Sequence, residues 1–262
     1  MTHKIKAVFF DVDSTMYFHD IHDLLPKTKA ALWQLHEQGI LVAVATSRCR
    51  SELKNMPAFF RMFPFAAVIS DGGALVMEQK TIVEAHFLPH ELVERIASFA
   101  KQHQRTFRYS TVDGNYFTDE PNQIDKDLFF QLYLNVPIQK PYEQDDVLNI
   151  LLYTRTVQER SELKQLLGQT SFVTHGEVVE INAGSIDKSS GVKVLADRWG
   201  LSMAEMMCFG DGANDVEMLQ ACGIGVAMGN GCDAAKQAAD YVTKRIEEDG
   251  IDHALRHYGL IA

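Results

Sequence analysis

The feature that most constrains this chain is a pair of acidic residues directly after its first apolar run. The run over residues 5–10 is short and rich in bulky side chains, which predicts a buried strand, and Asp11 and Asp13 follow it at once. Open α/β sheets place their ligand sites at the carboxyl ends of strands. Because like charges this close repel, two carboxylates at this position indicate that a cation or a substrate uses them.

The rest of the chain alternates strand-like and helical patterns. A helical stripe over 26–38 leads to apolar runs at 40–45 and 66–70, with a further helical segment between them. The alternation resumes at Asp187 with a helix and then a buried strand over 206–209. This order predicts an α/β fold with a doubly wound, Rossmann-like parallel sheet that has helices on both faces.

The middle of the chain has a different character. Its strands alternate more strongly, a helix is predicted over 89–104, and Asp113-Gly114 marks the turn of a hairpin over 107–118. We therefore predict an α+β domain inserted into the first. The expected boundaries are 1–81 and 184–262 for the discontinuous core and 82–183 for the insert.

Composition excludes several classes of protein. The 262 residues include 25 Lys and Arg against 35 Asp and Glu, and the net charge of −10 argues against nucleic acid or a basic membrane-binding face. No apolar stretch approaches the roughly 18 to 20 residues that a membrane span needs. The four cysteines lack the spacing of a metal site, so reduced thiols and a cytoplasmic location are expected.

Several polar side chains follow the predicted strands of the core. In a doubly wound sheet the carboxyl ends of neighbouring strands meet, so one cleft should collect Asp11, Asp13, Thr46, Asp211 and Asp215. A pocket of oxygen ligands favours Mg²⁺ over zinc. A carboxylate cluster with a nearby hydroxyl and lysine suits phosphoryl transfer, in which cations neutralise the phosphate oxygens.

Five motifs in a fixed order carry a resemblance to a known family. They are Asp11-Val12-Asp13-Ser14-Thr15, Thr46-Ser47-Arg48, Asp187-Lys188-Ser189-Ser190-Gly191, the segment 210–219, and the tail segments 223–231 and 248–251. Each motif alone is a modest signal. Together, across nearly the whole chain, they resemble the haloacid dehalogenase (HAD) superfamily, and specifically its Cof-type phosphatases with a large cap inserted between the second and third motifs.

The resemblance implies a role for each matching residue. Asp11 would be the nucleophile that forms an aspartyl-phosphate, and Asp13 would protonate the leaving alcohol and then activate water. We expect the closeness of the two carboxylates to help keep one of them protonated. The implied phosphate-binding residues are Val12, Thr46, Ser47, Lys188 and Asn214.

The resemblance also implies the metal ligands. Mg²⁺ would be held by the Asp11 carboxylate, the main-chain carbonyl of Asp13 and Asp211, with Asp215 binding it directly or from the next layer. The chain departs from the family at Ser14 and Ser47, where Gly is common. If Ser14 adopts a positive φ, the strain is on the order of 1 kcal/mol.

The insert is expected to close over the cleft and to select the leaving group. The candidate substrate contacts there are His86, Arg108 and Tyr116, while Glu180 is expected to help position the hinge. The predicted function is a Mg²⁺-dependent phosphatase of a small phosphorylated metabolite, such as a sugar phosphate, a nucleotide or a phosphorylated cofactor. A phosphomutase and a non-catalytic phospho-ligand sensor remain as alternatives, and the oligomeric state is left open.

Overall fold

A computed structural model describes residues 4–131, 134–170 and 172–262. Its fourteen described strands are β1 (Ala7–Phe10), β2 (Leu41–Ala45), β3 (Ala67–Ser70), β4 (Leu75–Glu78), β5 (Thr81–Ala85), β6 (Phe107–Ser110), β7 (Asn115–Phe117), β8 (Ile138–Gln139), β9 (Asn149–Tyr153), β10 (Phe172–His175), β11 (Val178–Asn182), β12 (Met206–Gly210), β13 (Ile224–Ala227) and β14 (Tyr241–Val242). The α-helices are α1 (Pro26–Glu37), α2 (Arg50–Leu53), α3 (Ala58–Met62), α4 (His90–Gln102), α5 (Gln123–Gln131), α6 (Val157–Leu167), α7 (Lys188–Trp199), α8 (Val216–Ala221), α9 (Asp233–Ala238) and α10 (Gly250–His257).

The larger sheet has eight strands in the order β14-β13-β12-β1-β2-β3-β4-β5. The first six are parallel to one another, and β4 and β5 extend the sheet as an antiparallel pair. The predicted doubly wound α/β core is therefore confirmed. The antiparallel extension was not predicted, and the expected domain boundary at residue 82 falls inside β5.

Strand residues alternate between the two faces of this sheet, as the pleat requires. Val8 and Phe10 pack on the side of α1 and α10, whereas Ala7 and Phe9 pack on the side of α7, α8 and α9. Both faces are buried, which explains why β1 reads as a continuous apolar run in the sequence. The rigid centre of the sheet fixes the positions at which its strands end.

The second sheet belongs to the inserted cap and has the order β10-β11-β9-β6-β7-β8. On one of its faces α4 and α6 cover an apolar layer that includes Tyr109, Ile150 and Ile181. The alternate strand residues, such as Arg108, Leu151 and Glu180, belong to the opposite face of the sheet. The residues at which the core ends and the cap begins remain our proposal. None of the helices in the described ranges is long and apolar enough to cross a membrane.

Candidate active site

Three neighbouring strands end at the site. In the central part of the sheet Phe10 of β1 lies opposite both Phe209 of β12 and Val44 of β2. Asp11 follows β1 and Thr46 follows β2, while Asp211 follows β12. The parallel register therefore brings these three side chains to one edge of the sheet, where ligand sites of open α/β folds lie.

Lys188 joins two of the acids. Its Nζ lies 2.6 Å from Asp11 Oδ1 and 2.7 Å from Asp215 Oδ1, and all three side chains are buried. Burial lowers the pKa of Lys188, but the two carboxylates outweigh that effect and raise the pKa above its ordinary value. Lys188 is therefore a permanent cation beside the Asp11 carboxylate.

Asp215 has both carboxylate oxygens engaged. While Oδ1 accepts from Lys188, Oδ2 accepts from the backbone N–H groups of Asp211 and Gly212, each at 2.9 Å. Asp211 in turn accepts a hydrogen bond of 2.9 Å from the Thr15 hydroxyl. Asp215 thus shapes the loop that presents Asp211 and holds Lys188 in place.

The acids form a cluster that fits a divalent cation. Asp11, Asp211 and Asp215 each bring an oxygen within 4.8 Å of the others. Burial and the neighbouring Asp215 raise the pKa of Asp211 to about 6, and burial also raises the pKa of Asp11, against the opposing effect of Lys188. Three carboxylates face a single lysine in this cluster, so a hard cation with oxygen ligands would complete its charge balance.

The start of α7 explains how Lys188 reaches the cluster. Asp187 caps the helix, because its Oδ1 accepts from the Ser190 backbone N–H at 3.0 Å and from the Ser189 hydroxyl at 2.6 Å. Gly73 has a φ of +111°, and a Cβ at this position would overlap the Asp187 carbonyl oxygen. The helix can begin this close to the sheet because residue 73 has no side chain.

The Asp13 carboxylate lines the same cleft as Asp11 but is not part of the cluster of Asp11, Asp211 and Asp215. It accepts hydrogen bonds of 2.8 and 2.6 Å from Arg48 and lies 3.0 Å from His19 Nε2. Burial alone would raise the pKa of Asp13, but the hydrogen bonds from Arg48 and His19 hold it well below its usual range. Of the two neighbouring carboxyls, Asp11 therefore has the raised pKa, and the Asp13 carboxyl of this structure is an anion.

Arg48 and His19 had no role in the sequence interpretation. The chain turns back after Asp13, with the Ser14 backbone N–H donating to the Tyr17 carbonyl at 3.1 Å, and this turn returns His19 to Asp13. Arg48 also lies 5.2 Å from the centre of the Tyr17 ring. The Thr-Ser-Arg motif contained the signal for Arg48, whereas His19 could be found only from the fold.

Ser14 has the backbone conformation that its sequence position suggested. Its φ is +60°, so Ser is strained where Gly would not be. Asn230 holds the turn in place, because its Nδ2 donates to the Ser14 carbonyl at 2.8 Å while its Oδ1 accepts from the Ile246 N–H at 2.8 Å. Asn230 therefore ties the first acidic motif to the tail of the chain.

The expected phosphate ligands lie on two sides of the cleft. The Thr46 hydroxyl accepts from the Arg48 backbone N–H at 3.1 Å, and the Ser47 hydroxyl accepts from Asn214 Nδ2 at 2.8 Å. Ser47 thus gives Asn214 a partner that Gly could not provide. The Val12 side chain is buried, and its carbonyl accepts from the backbone N–H groups of the turn over 15–17.

A cavity of about 430 Å³ opens from the acidic cluster towards the cap. Arg108 lines it, together with Asp11, Thr46 and Asn214. The other two candidates of the cap are placed elsewhere. His86 pairs with Glu84 at 3.1 Å, and the Tyr116 ring packs 5.4 Å from the centre of the Tyr109 ring, so neither lines this cavity.

A buried polar network joins the core to the cap. Arg108 Nη2 donates to Glu52 of α2 at 2.8 Å, and Asn115 Nδ2 donates to the same carboxylate at 3.0 Å. Between β3 and β4 the buried Asp71 carboxyl accepts from the hydroxyls of Ser110 of the cap, at 2.5 Å, and Ser70, at 2.9 Å. Burial raises the pKa of Asp71 to about 7. These contacts cross between separate parts of the sequence, so no local pattern indicated them.

The α/β fold and the acidic residues at the carboxyl edge of its larger sheet define the class of protein. The family of haloacid dehalogenase-like hydrolases matches residues 8–255, and the chain belongs to that family. It is an enzyme of the Cof-type, a hydrolase of phosphoric monoesters, as the sequence motifs predicted.

Individual relatives support the same class. The chain is 26% identical to the 5-amino-6-(5-phospho-D-ribitylamino)uracil phosphatase YcsE of Bacillus subtilis over 98% of this chain and 96% of the relative. It is 25% identical to YitU of the same organism, which carries the same functional name, over 98% and 99% of the two chains. Among solved structures, a HAD subclass IIB sugar phosphatase superposes with a TM-score of 0.92 at 28% identity, covering 98% of this chain and 100% of that one.

Proposed function

We propose that this protein is a Mg²⁺-dependent phosphatase of small phosphorylated metabolites that works through an aspartyl-phosphate on Asp11. The observation that carries the proposal is the position of Asp11, at the end of β1, within 2.6 Å of Lys188 and inside the cluster with Asp211 and Asp215. This arrangement gives a carboxylate nucleophile next to a fixed cation in a cleft. The names of the relatives agree with it, since YcsE and YitU are phosphatases and so is the subclass IIB protein.

The metal would be held by Asp11, Asp211 and the main-chain carbonyl of Asp13, with Asp215 beside them. When bound, Mg²⁺ supplies positive charge that offsets the phosphate oxygens and the three acids. The Asp13 carboxylate does not belong to the cluster of Asp11, Asp211 and Asp215 in this structure, since it is turned to Arg48.

The chain's own residues bind and orient the phosphate. Lys188 neutralises phosphate charge, and the Thr46 hydroxyl and the Asn214 amide donate hydrogen bonds from the two sides of the cleft. Val12 and Ser47 complete this set, with Ser47 holding Asn214. With the phosphate so placed, Asp11 attacks phosphorus in line with the leaving alcohol.

Asp13 is the general acid and base of the proposed reaction. To protonate the leaving alcohol it must gain a proton, which the ion pair with Arg48 opposes. Substrate binding therefore has to separate Asp13 from Arg48, and a guanidinium released in this way would sit beside the new phosphate charge. In the second half of the reaction the Asp13 carboxylate takes a proton from water while the water oxygen attacks phosphorus, the bond to the Asp11 oxygen breaks, and inorganic phosphate leaves.

The test is release of inorganic phosphate from a panel of phosphomonoesters, with Mg²⁺, with EDTA, and with the Asp11→Asn variant. Asp113→Asn is the matched control, because the Asp113 side chain is 92% exposed in a turn of the cap. We expect Mg²⁺-dependent release that Asp11→Asn abolishes and Asp113→Asn retains. Equal release by wild type and Asp11→Asn protein would assign the activity to a contaminant and overturn the proposal.

We further propose that the core spans residues 1–81 and 184–262, that the cap spans 82–183, and that Arg108 contacts the substrate. A cytoplasmic location is part of the same proposal. Folded protein that binds Mg²⁺ but releases no phosphate from any ester would favour the phosphomutase or sensor alternatives. Addition of a sugar bisphosphate would then separate the two, because only a mutase would respond with isomerisation.

A further inference from the structure

A second large concavity, which we name the lateral groove, lies on the core. Its volume is about 850 Å³, and none of its described lining residues lines the catalytic cavity. Val42, Val68 and Met77 of the larger sheet line it, together with residues of α3 and of the segment 63–66. A groove of this volume can hold a small molecule.

The apolar face of the larger sheet becomes more exposed from β2 to β5. Val44 of β2 lies opposite Val68 of β3, Val68 lies opposite Met77 of β4, and Met77 lies opposite Ile82 of β5. Val44 is fully buried, whereas Val68 and Met77 are half-buried. Ile82 is 41% exposed. The apolar surface of the sheet therefore continues past the packed core, on the side where the lateral groove lies.

Three phenylalanine rings form another wall of the lateral groove. Phe65 packs against Phe60 and Phe63, with the ring centres 4.9 and 4.8 Å apart. Phe60 and Phe63 are buried and Phe65 is half-buried, so the rings hold one another in place. An apolar ligand gains free energy when it leaves water for a preformed wall of this kind.

The lysine and arginine side chains of the lateral groove have no acidic neighbours in its lining. Arg50, Lys54, Arg61 and Lys80 line it, and its described lining contains no Asp or Glu, although the chain has a net charge of −10. Arg50 lies 3.8 Å from Asp113 of the cap, whereas the other three cations form no ion pair with a described residue. Four cations beside an apolar wall complement a ligand that has an apolar body and an anionic group.

We propose that the lateral groove binds a small amphiphilic anion, namely a medium-chain carboxylate. Its acyl chain lies against Val68, Met77 and the ring of Phe65, and its carboxylate lies among the four cations. The site is separate from the catalytic cavity, so this proposal does not rest on the phosphatase activity. A second copy of the chain suits the groove less well, because a two-fold interface would bring the cations of both copies together.

The experiment measures how affinity depends on the chain length and charge of the ligand. Calorimetry in EDTA, below the micelle concentration, gives Kd for hexanoate, octanoate and decanoate with the wild-type protein. Each added CH₂ group should lower Kd about threefold, the increment expected when a methylene leaves water for an apolar wall. Decylamine has the same chain as decanoate and the opposite charge, so it should bind at least about tenfold more weakly.

Two pairs of variants locate the ligand. Lys80→Gln removes a cation of the groove, and Lys101→Gln is its control because Lys101 is exposed on α4 of the cap. Val68→Thr places a hydroxyl in the apolar wall, and Val157→Thr is its control because Val157 is 75% exposed on α6. The Kd of decanoate should rise about threefold or more with Lys80→Gln and with Val68→Thr and stay unchanged with the two controls. Circular dichroism and Tm verify folding, and Lys80→Gln, on an exposed turn, keeps the test open if Val68→Thr does not fold.

Three outcomes would overturn the proposal. The first is a Kd that is independent of chain length or equal for decanoate and decylamine. The second is a loss of decanoate affinity with Arg48→Gln and none with Lys80→Gln, because Arg48 lines the catalytic cavity and the ligand would then lie there. The third is a dimer, seen by sedimentation, that Lys80→Gln strengthens, because this result would assign the groove to a second copy of the chain.

Discussion

The Asn214 side-chain amide donates a hydrogen bond of 2.8 Å to the hydroxyl of Ser47, and so connects the loops that follow β12 and β2. Both residues are proposed phosphate ligands, on strands that flank β1 on its two sides. In this chain Ser47 therefore fixes the orientation of Asn214. With glycine at position 47, the Asn214 amide would hydrogen-bond to water instead.

Loss of that hydroxyl should weaken phosphate binding. A hydrogen bond of this kind contributes about 0.5 to 1.5 kcal/mol, so Ser47→Ala should raise KM about threefold to tenfold with a smaller change in kcat. Ser98→Ala is the control, because Ser98 lies on the exposed face of α4 and its hydroxyl donates to the Glu94 carbonyl of the same helix. Steady-state kinetics on one ester measures both, and an unchanged KM for Ser47→Ala would contradict the role.

Removal of Arg48 should break its ion pair with Asp13 and lower the free energy of unfolding. The pKa of Asp13 is depressed in the folded protein, so the pair contributes stability above the unfolded pKa near 4 and loses it as pH falls through the folded value. Because the Asp13 side chain is 34% exposed, we expect Arg48→Gln to cost only about 1 kcal/mol at pH 7.

The neighbouring Arg50 provides the comparison for that variant. Its side chain is 43% exposed and lies 3.8 Å from Asp113, so Arg50→Gln should leave the free energy of unfolding within about 0.5 kcal/mol of wild type. Denaturant titration at pH 7 and near pH 2, which lies inside the range over which the contribution of the pair is lost, measures the difference. A loss with Arg48→Gln that is the same at both pH values would show that packing, and not the ion pair, is responsible.

Asp71 should make the free energy of unfolding depend on pH in the opposite direction. The pKa of Asp71 is raised to about 7, so between pH 4 and 7 the native state keeps a proton that the unfolded chain has lost. Stability contributed by this group therefore falls as pH rises through that window and is level above it. Asp71→Asn should flatten this part of the profile, by on the order of 4 kcal/mol, while Asp113→Asn leaves it unchanged.

Magnesium should stabilise the protein more at high pH. Its proposed ligands bind it as carboxylates, and the pKa of Asp211 is raised to about 6, so protons compete with the cation below that value. At a concentration of about 100 Kd the gain is about 2.7 kcal/mol. Thermal melts with Mg²⁺ or EDTA should show a larger difference at pH 8 than at pH 5, and Asp211→Asn should remove it. A shift of Tm that is independent of pH would contradict this cluster as the binding site.

Gly73 should tolerate no side chain. Gly73→Ala meets both a positive φ and the Asp187 carbonyl, so it should cost at least about 3 kcal/mol and displace Lys188. Gly39→Ala is matched to it, because Gly39 has a φ of +74° with open space around it and should cost only about 1 kcal/mol. Equal costs for the two substitutions would mean that the contact with α7 has no energetic weight.

The residues of the site that directly follow a strand could be predicted from the sequence. Asp11, Thr46 and Asp211 each come directly after an apolar run, and parallel strands bring such positions together. Arg48 stood in a motif of the sequence, but its pairing with Asp13 could not be predicted, because the two residues are 35 positions apart and their hydrogen bonds depend on how the second loop folds back. The same holds for Arg108 and Glu52, which come from the insert and the core, and for the packing that takes Tyr116 out of the cavity.

The two faces of the cap sheet place different demands on successive residues of one strand. Along β9, Ile150 and Leu152 are committed to the apolar layer beneath α4 and α6, while Leu151 and Tyr153 face the cavity. Substitution of every second residue of such a strand can adapt the cavity to another substrate. The intervening residues can stay unchanged and keep the cap packed. Selectivity can therefore diverge between relatives through single substitutions at the cavity-facing positions, while Ile150 and Leu152 keep the packing beneath α4 and α6.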